Sequence, residues 1–121
     1  MGQFINIFSI KELVTMADKK EILRTLKSHL QKNHHNSVKD VILFGSQASK
    51  KIIEESDYDI LIILADNYSR KDEDKILDLC YDIDLMYNIL IDAHIISVTE
   101  LSSLRGKQPI FVNAINSGIY A

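Results

Sequence analysis

The chain has 121 residues, a formal charge of −3 and a hydrophobic fraction of 46%, which suffices for one domain around a single core. That charge excludes the broad basic groove of a templated polymerase and argues against nucleic acid as the substrate. The one cysteine, Cys80, excludes a disulfide framework and a zinc cluster, and with no secretion signal and no apolar run of membrane length the expectation is a soluble cytoplasmic protein.

In chain order, Asp18 with Glu21 three residues later reads as a capping box opening a helix whose buried stripe is Ile22, Leu23, Leu26 and Leu30. His29, His34 and His35 fall near its end, where a solvated cap at the negative end of the helix is a commoner role than metal binding. Val41 to Phe44 is a short apolar run suited to an interior strand, and Gly45 punctuates its end. Ile60 to Leu64 is a second such run. From Asp72 to Leu90, Ile76, Leu79, Cys80, Ile83, Met86, Tyr87 and Leu90 recur at three- and four-residue spacing, the pattern of an amphipathic helix whose acids face water. The Lys71–Asp74 charge cluster is its polar start, and Cys80 falls on its apolar face.

Asp92 then enters a third apolar run, Ile91-Asp92-Ala93-His94-Ile95-Ile96, where His94 shares a strand face with Asp92 and could line the site, with packing the expected role. Thr99 is expected to cap a short turn ending near Leu104, and Arg105-Gly106-Lys107 to form a loop. Pro109 suits the first position of a helix through Asn116, closed by Gly118. No Pro/Gly/Ser-rich linker, repeat or low-complexity tract divides the chain, so residues 1–121 are expected to form a single domain.

The feature that carries chemistry is Gly45-Ser46, ten intervening residues, then Asp57-Tyr58-Asp59. Four fixed residues at that spacing arise by chance in roughly one chain of this length in a thousand, given residue frequencies of about 5–7%. Period-two alternation along a strand sends Asp57 and Asp59 to one side, where hard carboxylate oxygens suit Mg²⁺. A glycine at the end of the neighbouring strand allows a sharp turn and a close backbone approach to a ligand. A helix starting at Ser46 would offer free N–H groups to a triphosphate, and the serine adds a hydroxyl. The Gly-Lys-Ser/Thr ending of a Walker loop is absent.

Gly45-Ser46 with Asp57-Tyr58-Asp59, and a further Asp on a later strand, resembles the minimal nucleotidyltransferases of the polymerase-β superfamily. The resemblance runs from the helix before Val38 to the Pro109–Tyr120 segment. It implies an α/β (α+β) fold with a small mixed sheet packed by helices, and transfer of a nucleoside monophosphate from a triphosphate such as ATP with one or two Mg²⁺ ions. Asp57, Asp59 and Asp92 are the implied catalytic and metal-binding acids, with Asp92 as the base; Asp82 and Asp84 rival it by position only. Gly45 and Ser46 are the implied phosphate contacts.

The family's Gly-Ser-Arg-Ala-Arg-Gly becomes Gly45-Ser46-Gln47-Ala48-Ser49-Lys50 here, so Lys50, or Lys51 after it, is left to supply positive charge to the triphosphate. The closest resemblance is to antitoxins that pair with HEPN-type ribonuclease toxins, which implies a hydroxyl on a partner protein as the acceptor. Two alternatives stand beside it: a module of this fold that silences a partner by docking, and an antibiotic nucleotidyltransferase whose acceptor pocket a homo-oligomer could build between subunits.

Overall fold

Three segments rich in Ile, Leu and Val become neighbouring strands because β-branched side chains fit a pleated surface that is buried on both faces. The computed structural model describes residues 16–34, 37–49 and 57–121. Strands β1 (Val38–Phe44), β2 (Tyr58–Leu64) and β3 (Ile91–Ser97) are joined by a two-residue β4 (Ile119–Tyr120) in the order β3-β2-β1-β4. β1 runs antiparallel to β2 and β4, whereas β2 and β3 are parallel. The sheet is therefore mixed, as expected, and β4 follows the Gly118 that closes the last helix, where no strand was anticipated.

Alternation sorts the side chains onto two faces. Val41, Leu43, Ile60, Ile62, Leu64 and Ile95 pack against helices α1 (Met16–Asn33) and α2 (Arg70–Tyr87). Ile42, Leu61, Ile63 and Ile96 pack on the other face against Phe111 and Ala114 of a later helix, Pro109–Ser117. A parallel pair cannot be closed by a tight turn, and α2 supplies the crossover from β2 to β3.

Helix α1 buries Ile22, Leu23, Leu26 and Leu30 as its spacing predicts. Its start differs: the helix already runs at Met16, so Asp18 lies inside the first turn and does not cap it. His29 and His34 are not solvated caps either. They reach across to α2, with His29 Nε2 2.8 Å from Asp82 Oδ2 and His34 Nε2 3.5 Å from Asp72 Oδ1, while His35 lies outside the described residues.

Helix α2 begins earlier than Asp72 because Ser69 caps it, its hydroxyl accepting from the Asp72 amide while the Asp72 carboxylate accepts from the Ser69 amide. Ile76, Leu79, Cys80 and Ile83 are buried as expected. Burial pushes the Cys80 thiol up to about 12, with the Asp84 charge adding to it, so this cysteine is packing and not a nucleophile. Asn88, at φ 53° in the left-handed region, ends the helix before Leu90, and Met86 and Leu90 are exposed where a buried stripe was expected. Asp84 accepts from the Ile91 amide at 2.9 Å, and this local cap removes it as a rival to Asp92.

After β3 the cap is Ser97, not Thr99. Its hydroxyl and the Glu100 carboxylate form a capping box opening the four-residue helix α3 (Val98–Leu101). Arg105–Lys107 is a 3₁₀ turn where a loop was expected, and Pro109 opens α4 (Pro109–Ser117), one residue longer than anticipated and followed by Gly118. Arg105 fastens the end of β3. Its guanidinium donates to the Tyr68 hydroxyl at 2.8 Å, to the Glu100 carboxylate and to the Ile95 carbonyl at 3.0 Å, and its charge lies 5.4 Å from the Phe111 ring centroid.

Replacing Arg105 with Met strands these acceptors, and the expected loss is about 1–3 kcal/mol in urea unfolding at neutral pH. Burial alone would raise the Glu100 pKa, but hydrogen bonds from Tyr68, Arg105 and the Ser97 amide outweigh it and hold the carboxyl below its ordinary 4.5. A depressed folded pKa contributes stability above the unfolded value and loses it as pH falls through the folded one. The gap between wild type and variant therefore narrows below about pH 4.5.

Candidate active site at the head of the parallel strands

The chemistry-bearing residues collect at one corner of the sheet, on the face that α4 covers farther along. Register puts Phe44 of β1 opposite Asp59 of β2, and Asp59 beside Asp92 of β3. Hydrogen-bonded neighbours lie about 4.8 Å apart, so two carboxylates on adjacent strands and one face are forced together. His94 lies two residues beyond Asp92 on the same face, its Nε2 3.4 Å from Asp92 Oδ2, and its ring reaches diagonally over β2 to Phe44, with centroids 5.5 Å apart. One ligand atom from each of Asp59, Asp92 and His94 falls within 4.8 Å of the others.

Asp57 stands exposed just before β2, outside this close group, yet its charge acts on Asp59. The Asp59 carboxyl is held above its ordinary range, first by burial and then by the Asp92 charge. His94 opposes that shift and Asp57 adds to it. Two carboxylates that repel one another on a partly buried surface call for a cation, and the hard oxygen donors suit a divalent one.

Gly45 shapes the opposite wall. It sits at φ +72°, and a Cβ built there would lie 2.4 Å from Asp59 Oδ2, so the backbone turn rests directly against the carboxylate. From Gly45 the chain makes a single 3₁₀ turn to Ala48, closed by Ser49, whose amide and hydroxyl both donate to the Ser46 carbonyl at 3.2 and 2.8 Å. The Gln47 side chain is buried, and the backbone carbonyl of Gln47 accepts from the Lys19 ammonium at 2.9 Å. The two positions where the family pattern carries arginine thus serve the interior of the turn. Burial lowers the Lys19 pKa, and this lysine is a cation set beneath the turn from α1. Lys50, the expected triphosphate contact, lies outside the described residues, as does Lys51.

The structure thus joins Gly45, Asp59 and Asp92 as the sequence anticipates, with Asp57 at the rim. The sequence reading favours packing over site lining for His94 and passes over Phe44 and Lys19. Signals existed for two of them: Asp92 and His94 stand two apart in a strand, and Lys19 sits three and four residues before Ile22 and Leu23, in line with the buried stripe of α1.

A family model described as polymerase beta, nucleotidyltransferase matches residues 24–119. Two curated relatives from Methanocaldococcus jannaschii each bear the name "Putative protein adenylyltransferase". One is 34% identical over 99 residues, covering 82% of this chain and 89% of the relative. The other is 34% identical over 83 residues, covering 69% and 84%. No solved structure matches the chain significantly. Among the described residues, no helix is long and apolar enough to cross a membrane.

Proposed function

The chain belongs to the polymerase beta nucleotidyltransferase family, and we propose on that premise that it moves AMP from ATP to a hydroxyl of a partner protein. The observation that carries this reading is the in-register pair Asp59 and Asp92 with the Gly45 turn resting on Asp59. The names of the two relatives support a protein acceptor and an adenylyl donor. The partner is an HEPN-type toxin, for which this chain would act as antitoxin, as its likeness to that group implies.

Asp57, Asp59 and Asp92 would hold a divalent cation, and carboxylates alone would take Mg²⁺. Bound there, it would neutralise negative charge on the triphosphate oxygens, those of the phosphoryl group under attack included. Gly45 and Ser46 orient the β- and γ-phosphates through backbone N–H groups and the serine hydroxyl, and the Lys19 ammonium adds positive potential below them. Asp92 takes the proton of the acceptor hydroxyl. The acceptor oxygen bonds to the α-phosphorus, the bond from that phosphorus to the bridging oxygen breaks, and pyrophosphate leaves with the electron pair. Catalysis is mostly positioning and charge compensation.

The test is incubation of protein, partner and Mg²⁺ with ATP labelled at either the α- or the γ-phosphate. Label from the α position alone is expected on the partner, and it should vanish with Asp92→Asn. Label from the γ position would mean phosphoryl transfer and overturn the reading. A second reading, docking without turnover, draws on the burial of Gln47 and the turn-closing hydroxyl of Ser49, which stand where the family pattern has arginines. It predicts no label from either position and a partner that Asp92→Asn still neutralises in full.

A further inference from the structure

The feature of the corner that nucleotidyl transfer does not require is an imidazole. Carboxylates and phosphates satisfy Mg²⁺ by themselves, and a nitrogen donor adds little for so hard an ion. Yet β3 brings His94 to the same face as Asp92 and one rung farther along, so that both side chains overhang the Asp59 carboxylate.

Separation and access both suit a shared ion. An octahedral cation with bonds of about 2.1 Å sets neighbouring ligand atoms about 3 Å apart and opposite ones about 4.2 Å apart. The 3.4 Å between His94 Nε2 and Asp92 Oδ2 is near the first spacing, and the 4.8 Å limit on the whole group is slightly wider than the second. The His94 side chain is 27% exposed and that of Asp92 54%, so an ion arriving from solvent meets both. Phe44 flanks the imidazole with its ring tilted by 57°, an apolar wall that limits how far the ring can swing from the carboxylates.

We propose that His94 is a metal ligand alongside Asp59 and Asp92, and that this nitrogen makes the site select a first-row transition ion, Mn²⁺ in preference to Mg²⁺. The inference rests on the metal-dependent reading above and sharpens it. Two carboxylates and one imidazole form a mixed donor set, and the imidazole favours transition ions while the carboxylates and substrate phosphates remain good ligands for Mn²⁺. The ion keeps open positions for phosphate oxygens, as a reacting site requires.

The experiment uses the full chain without nucleotide, titrated with MnCl₂ and separately with MgCl₂ by calorimetry, and with bound Mn²⁺ probed by pulsed electron paramagnetic resonance. Wild type is expected to bind Mn²⁺ at least about tenfold more tightly than Mg²⁺ and to show ¹⁴N modulation from a coordinated imidazole. H94N should lose the modulation and about 10–100-fold in Mn²⁺ affinity, the cost typical of disturbing a metal's ligand environment. Its Mg²⁺ affinity should stay within about twofold, a selective effect that simple unfolding cannot mimic. H94Q, which keeps more of the side-chain bulk, should behave the same way.

Mn²⁺ bound without ¹⁴N modulation, or bound equally by wild type and both variants while D59N abolishes binding, overturns the role of His94 and leaves the carboxylate site standing. No Mn²⁺ or Mg²⁺ binding by wild type overturns both this inference and the metal-dependent reading.

Discussion

Gly45→Ala is expected to lower the rate of nucleotidyl transfer by at least ~10²-fold while leaving the fold in place. Two costs arise at once. The backbone at φ +72° is in the left-handed region, where a side chain costs roughly 1–2 kcal/mol. The new methyl would also lie 2.4 Å from Asp59 Oδ2 and 3.3 Å from its Cγ, a separation that forces movement. A carboxylate at the end of a side chain yields more readily than two backbone strands, so Asp59 turns away and the strands stay.

Stability should therefore fall only by the backbone cost, a decrease in Tm of roughly 3–10 °C. Catalysis falls further, because a displacement of about 1 Å in a positioned group can cost ~10²-fold. Circular dichroism, a thermal melt and a labelled-ATP assay on one preparation check the three parts together. Activity within threefold of wild type would show that the Gly45 turn does not set the carboxylate.

That contact shows where the sequence is legible and where it stops. Spacing marks Gly45 and Asp59 as one site, because a glycine ending one apolar run and an acid opening the next leave few other arrangements, whereas Asp92 joins them only through the family resemblance. Interior strands were equally plain, since Ile60 to Leu64 is buried on both faces and a continuous apolar run says so. What escaped depends on partners distant in the chain. Asp82 and Asp72 look like wet-face acids until α1 delivers His29 and His34 to them. β4 has two residues and no pattern of its own; pairing with Ile42 and Leu43 makes it a strand. Gln47 reads as a polar turn residue because the lysine that donates to its carbonyl is 28 positions earlier. Leu90 misled for the opposite reason, a local periodicity that continued past the point where Asn88 turns the chain.

The same corner should separate stability from activity in Asp59→Asn. Burial first, and the Asp92 charge second, hold the Asp59 pKa above its ordinary 3.8, so the metal-free native state keeps that proton more firmly than the unfolded chain does. For an acid with a raised folded pKa the penalty is absent below the unfolded value and is complete once pH exceeds the folded one. At neutral pH the metal-free wild type therefore carries the whole penalty, and an amide of the same shape carries none of it. Asp59→Asn is expected to melt roughly 1–4 °C higher than wild type at pH 7 in chelator, with the difference closing as pH falls toward 3.8. Adding Mn²⁺ should raise the wild-type Tm and leave the variant unmoved, because ligand linkage stabilises only a state that binds. Transfer of label from ATP should drop by ~10³-fold or more, equivalent to about 4 kcal/mol of lost charge stabilisation. A variant less stable than wild type in chelator would mean that Asp59 contributes to the fold through a favourable contact, and that the repulsion at this corner is already relieved without a cation.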